Sequence, residues 1–357
     1  MSLRVKKALK KLVAYSPDDV GFKIRLNANE APFDFTIDEI RSLKNSKAKK
    51  YLKFNSVNRY PDAKQIDLRD LIAKHYKVNK NQISLFNGSD ELILNLLLSL
   101  TGKSESVLTF QPSFSMYKIL TKSLGMKCLE VPLTQNYDID LLKTLAVLDQ
   151  ADPDLIFIAS PNNPTSNSFV KEKIFQILTK AKGLVVIDEA YSEYANFSFI
   201  KSLKKYKNLV IMKTMSKIGF ASLRLGFLIA NKEVVNTVNK IRLPYNVSTL
   251  SQLIAQDYFL NIKKYKNQIQ NVIHERIKLT ERLKKHKELK VTHSDSNFLF
   301  IEYFKTKKLY NFLKTKNINI KIFSDKKLIN NFRVTIGTEK ENNALLKYLA
   351  IFLKKNN

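Results

Sequence analysis

The sequence predicts an α/β protein with a mostly parallel, helix-flanked sheet and a smaller α+β part. Short, nearly continuous apolar runs recur through the middle of the chain, as expected of strands buried on both faces. Helical patterns lie between most of these runs, which favours crossovers between parallel strands. With 357 residues, the chain also exceeds the usual size of a single hydrophobic core, so more than one domain is expected.

Five apolar, β-branched runs are the predicted strands of the main sheet. They are VLTF (107–110), DLIFIAS (154–160), LVVIDEA (184–190), LVIMKTM (209–215) and LGFLIAN (225–231). Helical patterns at 113–125 and 170–183 separate the earlier runs, and the second pattern ends in lysines and Gly183, a usual helix end. The last two runs are too close together for a crossover helix, so we expect an antiparallel pair.

The character of the chain changes near residue 245. Residues 249–286 form a long charged stretch compatible with helix. Alternating segments and a final helix follow, at 291–304, 318–323, 331–338 and 339–355. This order predicts an α+β lobe. We therefore divide the chain into an N-terminal arm with part of the small domain (1–50), a large domain (51–248) and a small domain (249–357).

The charge of the chain is strongly positive, with 61 Lys and Arg against 32 Asp and Glu, a net charge of +29. Such a charge can indicate a nucleic-acid or anionic-membrane partner. Here the lysines are dispersed singly and in pairs, and no zinc-finger, leucine-zipper or aromatic-interleaved basic motif is present. Nowhere do 18 apolar residues follow one another. We expect no nucleic-acid, membrane or metal partner.

One cysteine, Cys128, is present, so no internal disulfide can form and an oxidising compartment is not implied. Its apolar surroundings, KCLEVPL, predict a small core residue. The basic start of the chain lacks the apolar core and cleavage site of a signal peptide. A cytoplasmic protein is expected.

Four polar motifs follow predicted strands or open helices, where ligands of open α/β sheets bind. They are NGSDELI (87–93), SPNNPTS (160–166), VVIDEAYSEY (185–194) and TMSKIGFASLRLGF (214–227). Each has an ordinary explanation when taken alone: a capped helix, a turn, an N-cap aspartate and a surface lysine. Their combination at strand ends is what indicates a site.

Each motif also has residues suited to a chemical role. Ser89 and Asp90 are good N-cap residues for a helix over 89–100, whose free N–H groups can bind an anion. The Asn-Pro turn can hold a side-chain amide in a fixed direction. Asp188 ends an apolar run, where a carboxylate is costly without a cation or donor. Lys217 follows a buried strand and can react there with a carbonyl group.

In this order and spacing, the motifs resemble the fold-type-I pyridoxal-phosphate aminotransferases of the aspartate-aminotransferase superfamily. Asn163 precedes Asp188 by 25 residues, and Lys217 follows it by 29. Five flanking segments narrow the resemblance to the class II subfamily and, within it, to the histidinol-phosphate aminotransferase family. They are LNANEAP (26–32), NRYPD (58–62), QPSFSMY (111–117), RLPYNVSTLSQ (242–252) and RVTIGT (333–338).

The resemblance implies a large domain with a seven-stranded sheet that binds pyridoxal 5'-phosphate (PLP), and a small α+β domain. It implies transfer of an amino group between L-histidinol phosphate and 2-oxoglutarate, giving imidazole-acetol phosphate and L-glutamate, in histidine biosynthesis. It also implies a homodimer with shared active sites, because Tyr60 resembles the tyrosine that reaches the cofactor phosphate of the neighbouring subunit.

Residue roles follow from the same resemblance. Lys217 would bind the cofactor aldehyde and carry a proton, and Asp188 would pair with the ring nitrogen. Asn163 and Tyr191 would bond the phenolic oxygen of the ring, and Phe114 would stack on its face. The cofactor phosphate would be held by the backbone amides of Ser89 and Asp90, the Ser216 hydroxyl, Arg224 and Tyr60.

The substrate pocket is implied less directly. Arg333 would meet the substrate phosphate or the glutamate carboxylate, and Asn29 and Tyr15 would line the pocket. Two departures from the family pattern stand out. Ser166 occupies a position where glycine is usual, so a less favoured turn conformation is expected. The loop 218–222 is one residue shorter than in many relatives, so the reach of Arg224 depends on how the loop absorbs the deletion.

Other functions share parts of this pattern. An aromatic amino-acid aminotransferase or a threonine-phosphate decarboxylase of the same subfamily would use the same Lys217, Asp188 and Asn163. A basic nucleic-acid-binding regulator built on an aminotransferase-like body would carry a helix-turn-helix domain ahead of it, whereas here only about fifty residues precede the cofactor domain.

Overall fold

The computed structural model describes residues 22–33, 58–102 and 104–356. Twelve strands are present among these residues. They are β1 (Ile24–Leu26), β2 (Ile83–Asn87), β3 (Ser106–Gln111), β4 (Lys127–Pro132), β5 (Leu155–Ala159), β6 (Leu184–Asp188), β7 (Leu209–Thr214), β8 (Leu225–Ala230), β9 (Lys290–Val291), β10 (Phe298–Glu302), β11 (Ile318–Ile322) and β12 (Asn331–Thr335).

Ten α-helices accompany the strands in the described part of the chain. They are α1 (Ile66–Tyr76), α2 (Gly88–Leu100), α3 (Ser115–Ser123), α4 (Leu141–Ala151), α5 (Lys171–Lys180), α6 (Lys232–Asn239), α7 (Thr249–Leu260), α8 (Ile262–Leu283), α9 (Thr306–Thr315) and α10 (Glu339–Asn356). The predicted long helix after residue 249 is thus two helices, separated at Asn261.

The larger sheet has seven strands in the order β2-β8-β7-β6-β5-β3-β4. The strands from β7 to β4 pair in parallel, whereas β8 runs antiparallel to both of its neighbours, β7 and β2. The mostly parallel seven-stranded sheet is therefore confirmed, as is the antiparallel pairing of the runs 209–215 and 225–231. Strands β5, β7 and β8 are buried along their whole length, as their continuous apolar sequences require.

Two apolar cores cover the faces of this sheet. On one face, Val186, Val210 and Met212 pack with residues of α2 and α6. On the other face, Ile187 and Ile211 belong to the core that continues into the smaller sheet. Strand β4 lies at the sheet edge, and Cys128 is only half-buried there. The expectation that Cys128 is a core residue was wrong, because an edge strand leaves part of its surface uncovered.

The smaller sheet has the order β1-β11-β12-β10-β9. Its first strand comes from the N-terminal part of the chain and pairs in parallel with β11, while β12 pairs antiparallel with β11 and β10. Residues near position 27 are thereby carried into the space between the two sheets. No helix in the described ranges combines the length and the apolar character needed to cross a membrane.

Candidate active site

A cavity of about 710 Å³ opens at the carboxyl ends of β3, β5, β6 and β7, facing the smaller sheet. Eleven of the thirteen residues predicted for the site line it: Asn29, Ser89, Asp90, Phe114, Asn163, Asp188, Tyr191, Ser216, Lys217, Arg224 and Arg333. The four motifs, which are far apart in sequence, therefore meet at one place, as ligand sites of open α/β sheets do.

The other two predicted residues do not line the cavity. Tyr60 is 81% exposed, and its ring stacks on Tyr245 with centroids 4.5 Å apart. Within this chain it contributes nothing to the cavity wall. Tyr15 lies outside the described residues.

Asp188 ends β6 with a buried carboxylate that is 6% exposed. Its oxygens accept hydrogen bonds from the Tyr117 hydroxyl at 2.6 Å and from the Ala190 N–H at 3.0 Å. Burial raises the pKa of Asp188 to about 6, although the hydrogen bond from Tyr117 and the charge of Lys217 act in the opposite direction. A carboxylate in this setting is stabilised by any cationic N–H group that enters the cavity.

The start of α2 forms the opposite end of the cavity. The helix begins at Gly88 after the N-cap residue Asn87, so Ser89 and Asp90 lie in the first turn and the expectation that they are N-caps was wrong. The cause is Gly88, whose φ of +83° turns the chain into the helix one residue earlier than the sequence suggested. The N–H groups of this turn form a site suited to an anion.

Two glycines bring β8 against the start of α2. A Cβ atom on Gly226 would lie 2.7 Å from the carbonyl carbon of Gly88, so only glycine allows this approach. The guanidinium of Arg224 lies over Gly88, with its Nη2 atom 3.4 Å from an oxygen of Asp90. The shortened loop thus still brings Arg224 to the cavity, with positive φ at Gly219 (95°) and Arg224 (48°).

The segment after β7 places a hydroxyl and an amine on the cavity wall. Ser216 is buried, and its Oγ atom accepts a hydrogen bond from the Thr214 hydroxyl at 3.0 Å. The Nζ atom of Lys217 lies 3.5 Å from the carbonyl oxygen of Ala28. The backbone carbonyl of Lys217 accepts a hydrogen bond from the Tyr194 hydroxyl at 2.6 Å, which anchors the chain at this residue.

Arg333 connects the two sheets across the cavity. Its Nη1 atom donates to the Asn163 side-chain oxygen at 2.5 Å, and its Nη2 atom donates to the Asn27 carbonyl at 2.7 Å. The guanidinium also lies over the Phe298 ring, 5.2 Å from its centroid. The turn that holds Asn163 and the strand that holds Arg333 are therefore fixed relative to each other.

Asn29 makes a second connection. Its side-chain nitrogen donates to the Tyr191 hydroxyl at 3.0 Å, and its backbone N–H donates to the Thr335 hydroxyl at 2.9 Å. The φ of Asn29 is 55°, a conformation that asparagine tolerates better than most residues. The N-terminal segment thus links Tyr191 to the smaller sheet.

The sequence analysis missed several residues at the site, among them Tyr117, Thr109 and Lys321; of these, Tyr117 contacts Asp188 but does not itself line the cavity. Tyr117 is fully buried beside Asp188. Thr109 lines the cavity with a buried hydroxyl that has no hydrogen-bond partner among the described residues. Lys321 lines the cavity and is the cross-strand partner of Arg333. Lys321 lies in the segment 318–323, which the sequence predicted as a strand. Its position beside Arg333 could not be predicted, because it depends on the pairing register of the two strands.

The fold is an open α/β sheet with a lysine, a buried carboxylate and a helix start around one cavity, and comparison with known proteins names the class. The chain belongs to the aminotransferase class I and II family, whose model matches residues 22–349. Among its relatives, the histidinol-phosphate aminotransferase of Vesicomyosocius okutanii is 38% identical over 347 residues, covering 96% of each chain. That of Aquifex aeolicus is 34% identical over 349 residues, covering 97% of each chain.

Solved structures agree in fold. The histidinol-phosphate aminotransferase of Sinorhizobium meliloti in complex with pyridoxal 5'-phosphate superposes with a TM-score of 0.88 at 19% identity, covering 100% of this chain and 99% of that one. The enzyme of Clostridium acetobutylicum has a TM-score of 0.83 at 25% identity, covering 94% and 100%. The resemblance predicted from the motifs is confirmed, and the chain is an aminotransferase-family enzyme.

Proposed function

We propose that this enzyme is a PLP-dependent histidinol-phosphate aminotransferase that interconverts L-histidinol phosphate and 2-oxoglutarate with imidazole-acetol phosphate and L-glutamate, in histidine biosynthesis. The observation that carries the proposal is the cavity that joins Lys217, Asp188 and the start of α2 to the Arg333 side of the smaller sheet. The full-length relatives of the same name support the choice of substrate.

The residues present fit the cofactor. The buried Asp188 carboxylate lacks a cationic partner at hydrogen-bond distance among the described residues, and a ring N–H supplies one. The first turn of α2, with Ser216 and Arg224 beside it, offers the donors that a phosphate group requires. When bound, PLP supplies an aldehyde that accepts the amino group and a ring that withdraws electrons.

With the cofactor bound, each of these residues would have a defined role. The negative charge of Asp188 would favour a proton on the ring nitrogen. Asn163 and Tyr191 would hydrogen-bond the ring oxygen, and Phe114 would cover one face of the ring. Lys217 would hold the cofactor through its aldehyde, and its amine would serve as the base that moves a proton at the reacting carbon of the substrate.

The phosphate of the cofactor and that of the substrate would occupy different ends of the cavity. The backbone amides of Ser89 and Asp90, the Ser216 hydroxyl and Arg224 would hold the cofactor phosphate, together with Tyr60 of the partner subunit. Arg333 and Lys321 serve the second anion, which is a phosphate in one half-reaction and a carboxylate in the other. A guanidinium binds both kinds of oxyanion in the same planar geometry. Asn29 would line this pocket, and the resemblance assigns Tyr15 to it as well.

A homodimer belongs to the same proposal. Large apolar side chains are exposed along two segments, 58–66 and 241–250: Tyr60, Ile66, Ile241, Leu243, Tyr245 and Leu250. A second copy covering this surface would bring Tyr60 to the neighbouring cavity. We further propose that residues 51–248 form the cofactor domain and 249–357, with part of 1–50, the small domain, and that the enzyme acts in the cytoplasm.

A substrate panel tests the proposal. PLP-loaded protein is expected to convert histidinol phosphate with 2-oxoglutarate faster than phenylalanine with 2-oxoglutarate, and to release no CO₂ from threonine phosphate. Lys217→Ala is expected to lose turnover and the visible absorbance that borohydride removes from the wild type. Lys173→Ala, far from the cavity, is the control. If the protein converts only phenylalanine or only threonine phosphate, the proposed substrate is wrong. If it does not bind PLP, the proposed reaction class is wrong.

A further inference from the structure

A buried lysine that the proposed reaction does not use lies next to the segment that carries Asp188 and Tyr191. Lys213 in β7 is 5% exposed. Side chains alternate along a strand, so Lys213 is on the face of Leu209 and Ile211, which belong to the core that continues into the smaller sheet. Met212 is on the other face. An ammonium group in such surroundings requires close partners.

Within the described ranges, the acceptors of Lys213 all come from one short segment. Its Nζ atom donates to the Ser192 hydroxyl oxygen at 2.5 Å and lies 3.2 Å from the Glu189 carboxylate and 3.3 Å from that of Glu193. Burial by itself would lower the pKa of Lys213, but the two carboxylates outweigh it and raise this pKa. Lys213 is therefore a cation at neutral pH.

The two carboxylates that bind Lys213 also contact neighbouring elements. The Glu189 carboxylate also accepts hydrogen bonds from the Ser198 hydroxyl at 2.7 Å and from the Phe199 N–H at 2.6 Å. The Tyr76 hydroxyl at the end of α1 donates to Glu193 at 3.3 Å, and the ammonium lies 5.1 Å from the centroid of the Tyr76 ring. The segment is thus tied to a strand, a helix and a following turn.

This segment is where β6 leaves the sheet. The Glu189 N–H still donates to the Met212 carbonyl at 2.8 Å, after which the chain forms a short 3₁₀ turn at Ser192–Tyr194. Residues 189, 192 and 193 contact Lys213, while Asp188, Ala190 and Tyr191 line the cavity. Of these six consecutive residues, three therefore contact the lysine and three line the cavity.

We propose that Lys213 is a positioning residue, which holds residues 188–193 so that the Asp188 carboxylate and the Tyr191 hydroxyl face the cofactor. This inference rests on the proposed function, since it concerns the two residues assigned to the cofactor ring. Lys213 acts through them and does not line the cavity itself.

Two variants test the role of Lys213 without leaving a buried charge unpaired. The triple variant Lys213→Met, Glu189→Gln and Glu193→Gln removes all three charges at similar side-chain size. Ser192→Ala removes one acceptor and leaves the ion pairs in place. Lys173→Met is the control, because Lys173 forms a partly exposed ion pair with Asp138 at 2.6 Å and does not line the cavity.

The measurements are the PLP dissociation constant, the pH midpoint of the visible absorbance of the bound cofactor, and the melting temperature. In the triple variant we expect the dissociation constant to rise about tenfold or more, the size of loss found when the outer partners of metal ligands are removed. The midpoint is expected to rise by about half a pH unit or more, equivalent to one weakened hydrogen bond. The reason is that Tyr191 donates to a ring oxygen that is more negative after the chromophore loses its proton.

Ser192→Ala is expected to shift the midpoint in the same direction by less, and Lys173→Met to change only the melting temperature. A wild-type dissociation constant and midpoint in the folded triple variant would overturn the inference and leave the proposed function standing. If the triple variant does not fold, unchanged values in Ser192→Ala overturn the inference instead. Failure of the wild type to bind PLP would overturn the proposed function as well, and would be seen before any variant is compared.

Discussion

Replacing Asp188 by asparagine is expected to stabilise the cofactor-free protein at neutral pH and to impair the loaded enzyme. The amide is nearly the same size as the carboxylate. Its oxygen can accept the hydrogen bond from the Ala190 N–H, and its nitrogen can donate to the Tyr117 oxygen. The substitution therefore removes the buried charge while keeping the two contacts of 3.0 and 2.6 Å.

The size of the effect follows from the raised pKa of Asp188. This pKa is about 6 in the folded chain against an ordinary value of 3.8, so the unfolded state loses its proton first as the pH rises. Between these two values the folded state binds more protons, and its stability falls with rising pH. The full pKa shift of Asp188 corresponds to about 3 kcal/mol in the free energy of unfolding. Of this, about 2 kcal/mol is lost when the pH rises from 4.5 to 7.5.

Urea unfolding of the cofactor-free protein at these two pH values measures the effect. Compared with the wild type, Asp188→Asn is expected to retain about 2 kcal/mol more stability on going from pH 4.5 to pH 7.5. Asp149→Asn, at an exposed position beside Lys180, controls for the substitution itself. The loaded Asp188→Asn enzyme is expected to lose about a hundredfold or more in kcat/KM, because a buried ion pair loses one partner. Identical pH dependence in the wild type and Asp188→Asn would refute the reasoning.

Three further substitutions test individual contacts. Tyr117→Phe removes the hydroxyl that donates to Asp188, so we expect a further rise in the pKa of Asp188 and a loss of about 1–3 kcal/mol at neutral pH, measured by urea unfolding. Gly226→Ala forces β8 away from the start of α2 and is expected to lower the free energy of unfolding by about 1–3 kcal/mol and to weaken PLP binding. Gly102→Ala is the control and should have neither effect, because the nearest atom to an added Cβ is 3.8 Å away. Ser166 has a φ of 69° and donates to the His293 carbonyl at 3.1 Å. Ser166→Ala removes the hydrogen bond but keeps the strained positive φ, whereas Ser166→Gly removes both the hydrogen bond and the strain. Thermal unfolding should therefore find the glycine variant more stable than the alanine variant by about 1 kcal/mol. Equal stabilities would show that the backbone at this position is not strained.

Strand positions were predictable where both faces of a strand are buried. The runs that became β5, β7 and β8 are continuous in apolar character, and local sequence is sufficient evidence for such strands. The edge strand β4 was not recognised, because it alternates weakly and its partner was unknown. Helix starts were also less predictable, since Gly88 rather than Ser89 or Asp90 determines where α2 begins.

Some features of the candidate site were likewise predictable from the sequence, and others were not. By itself, the sequence determined the α/β class and predicted that Asn163, Asp188 and Lys217 lie close together, since polar residues at the ends of adjacent parallel strands meet at one edge of the sheet. The family resemblance supplied the roles of the other predicted residues. Only the tertiary structure decided the contacts made across elements: Tyr117 against Asp188, Arg333 against Asn163, and Lys213 against the segment after β6. The physical reason is that each contact depends on burial and on the register of distant strands and helices. Neither is encoded in the residues next to it in sequence.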